Sequence, residues 1–274
     1  MAADGLLERF PRPAVMGVLN VTPDSFSDGG EHLEVAAAVA RGTLLAAEGA
    51  DLIDVGGEST RPGSEPVTAA EELRRVMPVI ERLAGAVDTP ISIDTMKAEV
   101  AEAAIAAGAA FVNDVTAFGH DPRMADVVAS TGVGVCLMHM RGEPRTMQDH
   151  PHYDDVVAEV ASHLRERAGW AVAAGIRPEL VAVDPGIGFG KTTAHNLALL
   201  RGLPAIAALG HPVLVGVSRK RFLGELTGEP IAGRGTATVA ANLEAFRRGA
   251  WMFRVHDVRD TSQALLISTA VEPG

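Results

Sequence analysis

The sequence has a single cysteine, Cys136, among its 274 residues. This excludes an internal disulfide and any site built from several thiolates. Aromatic residues are also scarce, at 4%, whereas glycine is abundant, with 29 residues. A chain of small aliphatic residues and many glycines favours tightly packed helices and strands that are joined by short, specialised loops. Cys136 lies between apolar residues of a β-forming run, so we expect a buried core thiol.

Long apolar runs are absent, because glycine, proline or charge interrupts each run well before the ~18 residues of a transmembrane helix. Residues 1–13 have no uninterrupted apolar stretch after a basic segment, so we expect no signal peptide. Positive charge is in the minority, with 24 basic against 35 acidic residues and a net charge of −11. We therefore predict a soluble, cytoplasmic protein that binds neither nucleic acid nor membranes, while a local cationic pocket stays compatible with this charge.

Short apolar, β-forming runs alternate with longer segments in which apolar residues recur at three- and four-residue spacing. The eight runs lie at residues 14–19, 52–55, 90–93, 111–112, 133–138, 181–183, 213–217 and 251–255. Helical segments between them include 34–48, 69–83, 97–107, 154–174 and 236–248. Several end at a glycine suited to a helix C-cap: Gly49, Gly108, Gly175 and Gly249. Eight β/α units of this length predict an α/β protein with a single (β/α)8 barrel, and an open doubly wound sheet is the alternative. We assign the barrel to residues 14–274 and an N-terminal extension to residues 1–13.

Polar residues stand at or just beyond the C-terminal end of nearly every predicted strand. They are Asn20, Asp54, Asp94, Asn113, Asp114, His139, Asp184, Ser218, Lys220, Arg254 and His256. Any one of them could simply end a strand in a solvated loop. Because these strand ends meet at one rim of a barrel, where active sites are built, the whole set favours a small-molecule site.

Two glycine-rich loops, at residues 20–30 and 56–63, combine turn formers with hydroxyl and charged groups. They fit either mobile loops that close over a substrate or ordinary surface turns. A third segment, 184–192, is not a phosphate loop, because Pro185 stands where the Walker pattern needs glycine. A dinucleotide fingerprint fails as well, at Lys191. We interpret this segment as a strand-end carboxylate on a tight turn, although Asp184 alone is also a plausible helix cap.

Cationic residues gather after the last two predicted strands, at 218–220 (Ser-Arg-Lys) and 254–257 (Arg-Val-His-Asp). In a barrel these strand ends are neighbours, and anionic groups often bind there. The cluster predicts an anionic ligand or leaving group, with solvated surface charge as the alternative.

Together, these segments resemble the dihydropteroate synthases of folate biosynthesis, the targets of sulfonamide drugs. The resemblance rests on motifs at 16–30, 54–63, 91–95, 112–114, 137–148, 184–192, 218–220 and 254–258. It implies a (β/α)8 barrel and a transferase that joins p-aminobenzoate to (7,8-dihydropterin-6-yl)methyl diphosphate, releasing pyrophosphate. It also implies Mg²⁺ as cofactor and a homodimer.

The resemblance implies roles for individual residues. The pterin would contact Asp94, Asn113, Met138, Asp184, Phe189, Lys220 and Arg254. The diphosphate would contact Asn20, Arg254 and His256, with Asn20 also binding Mg²⁺. The p-aminobenzoate pocket would comprise Thr60, Arg61, Pro62, Phe189, Ser218, Lys220 and Phe26. Asp24, Arg61, Asp94, Lys220 and Arg254 would act in catalysis, and the loop with Asp24 and Phe26 would close over the arylamine.

Two other functions stay open for this sequence. One is a paralogue that binds pterin without catalysing condensation, against which the intact cationic residues argue. The other is a pterin-dependent methyltransferase barrel that serves a corrinoid. That protein would share the acid and amide residues at the pterin edge but not the Ser-Arg-Lys segment at 218–220.

Overall fold

The computed structural model describes residues 5–22, 31–60, 63–143 and 145–271. Within them, eight parallel strands form a closed barrel in chain order, with the last strand paired to the first. The strands are β1 (Ala14–Asn20), β2 (Leu52–Gly56), β3 (Ile91–Asp94), β4 (Ala109–Asp114), β5 (Gly134–Met138), β6 (Val181–Asp184), β7 (Val213–Val215) and β8 (Ala250–Val255). The predicted barrel is confirmed, and closure excludes the open sheet.

Helices surround the barrel and connect successive strands. They are α1 (Leu6–Arg9), α2 (Glu31–Ala47), α3 (Ala69–Ala84), α4 (Ala98–Ala106), α5 (Arg123–Thr131), α6 (Val156–Ala173), α7 (Thr193–Arg201), α8 (Leu203–Ala207), α9 (Arg221–Thr227), α10 (Gly235–Phe246) and α11 (Val258–Val271). No helix in the described part of the chain is long and apolar enough to cross a membrane.

The glycines that follow four of these helices have left-handed backbone just beyond the C-caps, which for α4, α6 and α10 are the right-handed residues Ala107, Ala174 and Arg247. The φ angles of Gly49, Gly108, Gly175 and Gly249 lie between +95° and +113°. A side chain would be strained there, so the predicted helix ends are confirmed by the backbone itself.

The barrel interior is apolar at its N-terminal end. Alternate residues of each strand point inward. Those near the N-terminal end of the barrel form one cluster with residues from the start of the chain. Its strand members are Ala14, Met16, Leu52, Phe111, Cys136, Ala182, Leu214 and Met252. Cys136 is buried there as predicted, and burial raises its thiol pKa well above the ordinary value.

The start of the chain closes this end of the barrel. Leu6, in α1, and Phe10 belong to the same apolar cluster, and both are almost fully buried. The indole Nε1 of Trp251 donates to the carbonyl oxygen of Phe10 at 2.9 Å, which fixes the segment to β8. Residues within the expected N-terminal extension therefore contribute to the core of the barrel.

Candidate active site

The opposite end of the barrel is polar, because the inward positions near the strand ends carry acids, an amide and an arginine. The strand register places Gly56 beside Asp94 and Asp94 beside Asn113. On the other side of the barrel, Met138 pairs with Asp184. The change from apolar floor to polar rim follows from the alternation of each strand and creates a site at the C-terminal face.

Arg254, on β8, crosses the barrel and connects two acids. Its Nε donates to Asp54 Oδ2 at 2.6 Å, and its Nη2 donates to Asp94 Oδ2 at 2.7 Å. Asn113 Nδ2 donates to Asp54 Oδ2 at 3.2 Å. We call these four residues the Arg254 cluster. The cluster spans β2, β3, β4 and β8, so it forms the floor of the rim site.

The cluster holds two carboxylates for one guanidinium. Burial raises the pKa of Asp94 to about 7, against the opposing effect of Arg254 and with a further increase from Asp54. Although burial disfavours its charge, Arg254 has a raised pKa because Asp54 and Asp94 stabilise the guanidinium. Asp54 Oδ1 is buried and has no hydrogen-bond partner in the described part of the chain. The floor therefore still offers acceptor capacity to N–H donors of a ligand.

Asp184 is held at the end of β6 by a tight turn. The backbone N–H of Gly186 donates to Asp184 Oδ1 at 2.6 Å. Gly186 has a φ of +65°, and a Cβ there would overlap the carbonyl oxygen of His139. Burial raises the pKa of Asp184 to about 6, although the Gly186 N–H and the positive charge of Lys220 oppose this shift. The alternative interpretation, in which Asp184 caps a helix, is wrong, because α7 is capped by Thr192.

Phe189 and Lys220 form one wall of the rim site. The Lys220 ammonium lies 4.0 Å from the centroid of the Phe189 ring, which is a cation–π contact. The aliphatic part of Lys220 passes close to Gly188, where a Cβ would lie 3.1 Å from Lys220 Cδ. An apolar ring and a positive charge are thus presented side by side.

Ser218 and His256 connect the ends of β7 and β8. Ser218 Oγ lies 2.9 Å from His256 Nδ1 and accepts the His256 backbone N–H at 3.1 Å. Between Ser218 and Lys220, Arg219 has a φ of +57° and turns outward, with its Nε donating to Asp257 at 3.1 Å. This turn directs the two neighbours of Arg219 toward the rim.

Asn20 is the predicted Mg²⁺ contact, and it stands half-buried at the end of β1, beside Gly56. No group of three or more His, Cys, Asp or Glu residues that could hold a metal occurs among the residues the structure describes. Mg²⁺ usually takes one or two protein oxygens together with phosphate oxygens of the substrate. The amide oxygen of Asn20 fits as such a protein ligand, and phosphate oxygens and waters would complete the coordination.

Several predicted site residues lie together at this rim: Asn20, Asp94, Asn113, Met138, Asp184, Phe189, Ser218, Lys220, Arg254 and His256. Thr60 follows β2 on the same side of the barrel. Asp24, Phe26, Arg61 and Pro62 lie outside the described residues. Asp114 does not join the site, because its carboxylate accepts the backbone N–H groups of Thr116 and Phe118 and stabilises a turn.

From the sequence, Asp54 is placed among the strand-end residues of the rim without an individual role, and Lys191 is not predicted as a site residue. Asp54 was visible as an acid within an apolar run, yet only its contact with Arg254, 200 residues later, shows its part in the floor. Lys191 entered only as a mismatch to a nucleotide motif, although it is almost fully buried beside the end of β5. No local sequence pattern predicts either of these contacts.

Comparisons with known proteins agree with this geometry. Residues 16–256 match the family described as pterin-binding enzymes. The dihydropteroate synthase of Neisseria meningitidis serogroup C is 48% identical over 93% of this chain and 91% of its own length. The Xanthomonas albilineans dihydropteroate synthase solved with 4-aminobenzoic acid has a TM-score of 0.91 and 55% identity, covering 96% of this chain and 95% of its own. Its structure with 7,8-dihydropteroate gives a TM-score of 0.87 and 52% identity, covering 96% of each chain.

Proposed function

Since this chain belongs to the dihydropteroate synthase family of pterin-binding enzymes, we propose that its rim site joins p-aminobenzoate to (7,8-dihydropterin-6-yl)methyl diphosphate. The products are 7,8-dihydropteroate and pyrophosphate. The observation that carries this proposal is the Arg254 cluster, which sets buried acids and an amide at the floor of a site whose walls are cationic.

The pterin ring offers donors and acceptors on its edges, and the rim residues match them. Asp184 accepts the ring N–H and the exocyclic amine in one bidentate contact. Asp94 and Asn113 pair with the opposite polar edge, and Lys220 donates to the ring carbonyl. Pairing every polar edge gives strong discrimination, because an analogue that lacks one group leaves a buried partner unsatisfied.

The two flat faces of the pterin are enclosed by different groups. Met138 and Phe189 supply apolar contacts. Arg254 bonds to Asp54 and Asp94 through hydrogen bonds in the plane of its guanidinium, so the face of that plane stays available for stacking on the ring. The two acids thus fix the orientation of the guanidinium on which stacking depends.

The diphosphate binds beside Asn20, Arg254 and His256, where positive charge compensates the negative charge of the diphosphate. Bound Mg²⁺, held by Asn20 and phosphate oxygens, would supply further stabilisation of the departing pyrophosphate. The bond between the methylene carbon and the diphosphate oxygen breaks, and the oxygen keeps the electron pair. Catalysis by this chain is then mainly electrostatic, since cations favour the leaving group and the buried acids Asp94 and Asp184 favour the pterin methylene cation.

The arylamine approaches from the side of Phe189 and Ser218. Its carboxylate is received by the Ser218 hydroxyl and the Lys220 ammonium, and its amine nitrogen attacks the methylene carbon and then loses a proton. Thr60 belongs to the wall of this pocket, with Arg61, Pro62 and Phe26, and Asp24 acts from the loop that closes over it. Because Ser218 also contacts His256, the arylamine and diphosphate subsites share a hydrogen bond. By the same resemblance, the enzyme acts as a cytoplasmic homodimer.

Pyrophosphate release from the dihydropterin methyl diphosphate with Mg²⁺, with and without p-aminobenzoate, tests this function. We expect release coupled to the formation of 7,8-dihydropteroate, and no product from the Asp184→Asn variant. Pterin binding without any pyrophosphate release would overturn the proposal in favour of a non-catalytic paralogue. Methyl transfer to a corrinoid, with no binding of p-aminobenzoate, would do so in favour of the methyltransferase.

A further inference from the structure

Lys191 is a buried lysine with no part in the reaction described above. Burial lowers its pKa to about 7, although the negative charge of Asp184 opposes this shift. We propose that Lys191 is a positioning residue, which holds the loop of residues 185–192 (the β6 loop) against the end of β5 and so fixes the pterin site. The inference rests on the proposed function and deepens it, because it identifies what keeps Asp184 and Phe189 in place.

Three acceptors surround the Lys191 ammonium, one for each of its N–H donors. Lys191 Nζ lies 2.9 Å from the carbonyl oxygen of Phe189, 3.3 Å from that of His139, and 3.0 Å from His139 Nδ1. Burial lowers the pKa of His139 to about 2, so its ring is neutral, and in the tautomer with the proton on Nε2 its Nδ1 accepts from the ammonium. One side chain therefore ties its own loop to the residue that follows β5.

The loop is pressed onto the β5 end at two more points. A Cβ at Gly186 would overlap the carbonyl oxygen of His139, and one at Gly190 would overlap that of Arg141. Both glycines have positive φ, so the backbone can approach only because these positions lack side chains. The β6 loop and the segment after β5 therefore lie close together, and the Lys191 side chain fills the centre of the space between them.

Further hydrogen bonds join the β6 loop to residues outside it. Tyr153 Oη donates to the carbonyl oxygen of Gly190 at 3.0 Å, and Gln148 Nε2 donates to that of Gly188 at 2.6 Å. Asn196 Oδ1 accepts the Gly188 N–H at 2.8 Å. These bonds restrain the tip of the loop, but among the described residues only Lys191 bonds to both the β6 loop and His139.

The restraint reaches the substrate site through the backbone. The Lys191 bond is to the carbonyl of Phe189, whose ring contacts Lys220 at 4.0 Å. At the other end of the loop, the Gly186 N–H bonds to Asp184. Removing the Lys191 ammonium leaves two carbonyls without this donor and frees the loop to move. A displacement on the order of 1 Å is enough to cost ~100-fold in rate when it misplaces binding groups.

Lys191 stands out further because the chain has only three lysines, and each follows the C-terminal end of a strand. Lys97 follows β3, Lys191 follows β6 and Lys220 follows β7. Lys220 contacts the ring of Phe189, whereas Lys191 contacts the backbone of the same residue. The two cations therefore hold Phe189 from two directions.

The test compares Lys191→Met, which keeps the length and removes the donors, with Lys191→Gln, which keeps two N–H donors. Arg201→Met, an exposed substitution on α7, is the control. The measurements are calorimetric affinity for 6-hydroxymethyl-7,8-dihydropterin, kcat, and hydrogen exchange of the peptide over residues 184–192. All are made at a temperature where thermal unfolding shows every variant to be folded.

We expect Lys191→Met to weaken pterin affinity at least tenfold and to speed exchange in the β6 loop, with Lys191→Gln in between and the control unchanged. Pterin affinity within twofold of wild type in folded Lys191→Met would overturn the inference, whatever the exchange rate of the β6 loop. A lower melting temperature alone, with normal affinity, would also overturn it and assign Lys191 to stability only. Failure of the proposed function is distinct, because the wild type itself would then form no 7,8-dihydropteroate, whether or not it binds the pterin.

Discussion

Arg254 on β8 and Asp94 on β3 form an ion pair across the barrel, with 2.7 Å between Nη2 and Oδ2. Asp54 accepts from Nε of the same guanidinium, so one cation organises acids from two strands that do not neighbour its own. Arg254 thus has a structural role, and the proposed function gives it a catalytic one, so its removal should affect both stability and turnover.

Arg254→Met should lower both stability and turnover. It leaves two buried carboxylates without their partner, which costs about 3–5 kcal/mol of unfolding free energy. Urea unfolding checks stability, and steady-state kinetics check turnover. Arg247→Met is the matched control, because that arginine forms an exposed pair with Glu244 and should contribute ~1 kcal/mol or less. Equal stability of the two variants would contradict the importance of the cross-barrel pairs.

Pterin affinity should depend on pH through Asp184. Its pKa is raised to about 6, so the carboxylate that we propose to accept the pterin N–H groups becomes protonated as the pH falls below that value. We expect the part of the affinity that depends on Asp184 to decrease about tenfold per pH unit below 6 and to be constant above 7. Calorimetry with 6-hydroxymethyl-7,8-dihydropterin avoids titration of the diphosphate. Asp184→Asn should bind weakly at every pH; an unchanged pH profile in that variant would exclude Asp184 as the titrating group.

Lys220→Ala should reduce kcat by about 10²–10³-fold, since it removes a cation that contacts Phe189 and that we propose to contact both substrates. The adjacent Arg221→Ala is the control, because Arg221 is exposed and pairs with Glu225 on α9. Pyrophosphate release measures both. Similar rates for the two variants would contradict the assignment of Lys220.

Lys97→Met should impair use of p-aminobenzoate more than pterin binding. Lys97 Nζ bonds to Glu58, on the loop of residues 57–63, and to Glu72 on α3 at 2.5 Å, while Arg75 donates to the carbonyl oxygen of Gly57 at 2.9 Å. The loop that carries Thr60 is thus fixed at its base. We expect KM for p-aminobenzoate to rise about fivefold or more, with pterin affinity unchanged.

Arg74→Met, on the exposed side of α3, is the control for this loop. A parallel loss of affinity for both substrates in Lys97→Met would point to general destabilisation rather than to positioning of the loop.

Leu6→Ala should destabilise the barrel without changing its kinetics. The side chain is buried in the apolar cluster at the N-terminal end, so its truncation costs about 2–5 kcal/mol. Leu7 is 54% exposed, and Leu7→Ala should change stability by less than ~0.5 kcal/mol. Chemical denaturation checks both; equal stability would show that residues 5–13 are an appendage to the barrel.

The sequence was informative wherever local periodicity decides structure. Strand β4 is longer than predicted, since it extends from Ala109 to Asp114, and β7 is shorter, since it ends at Val215. Both differences occur where glycine or polar residues interrupt the apolar pattern. The apolar pattern locates a strand, but hydrogen bonding between strands decides where the strand begins and ends. The order of the strands and the helix caps still followed from the pattern.

The site was predictable only in part. Residues at strand ends could be identified one by one, because barrel topology brings them to one rim. Contacts between residues far apart in sequence, such as Asp54 with Arg254 or His139 with Lys191, depend on how the barrel closes. Asp114 shows the opposite error, since a strand-end acid can turn outward and serve its own backbone.

The placement of the three lysines restricts where reagents that modify amines can react with side chains of the protein. Any reagent that acylates side-chain amines can react only beside the rim, since no lysine stands on the outer helical surface or the opposite end of the barrel. Lys191 is shielded, whereas Lys97 and Lys220 are partly accessible. Acylation of side-chain amines, read peptide by peptide, would therefore report occupancy of the site directly, without a label being introduced into the chain.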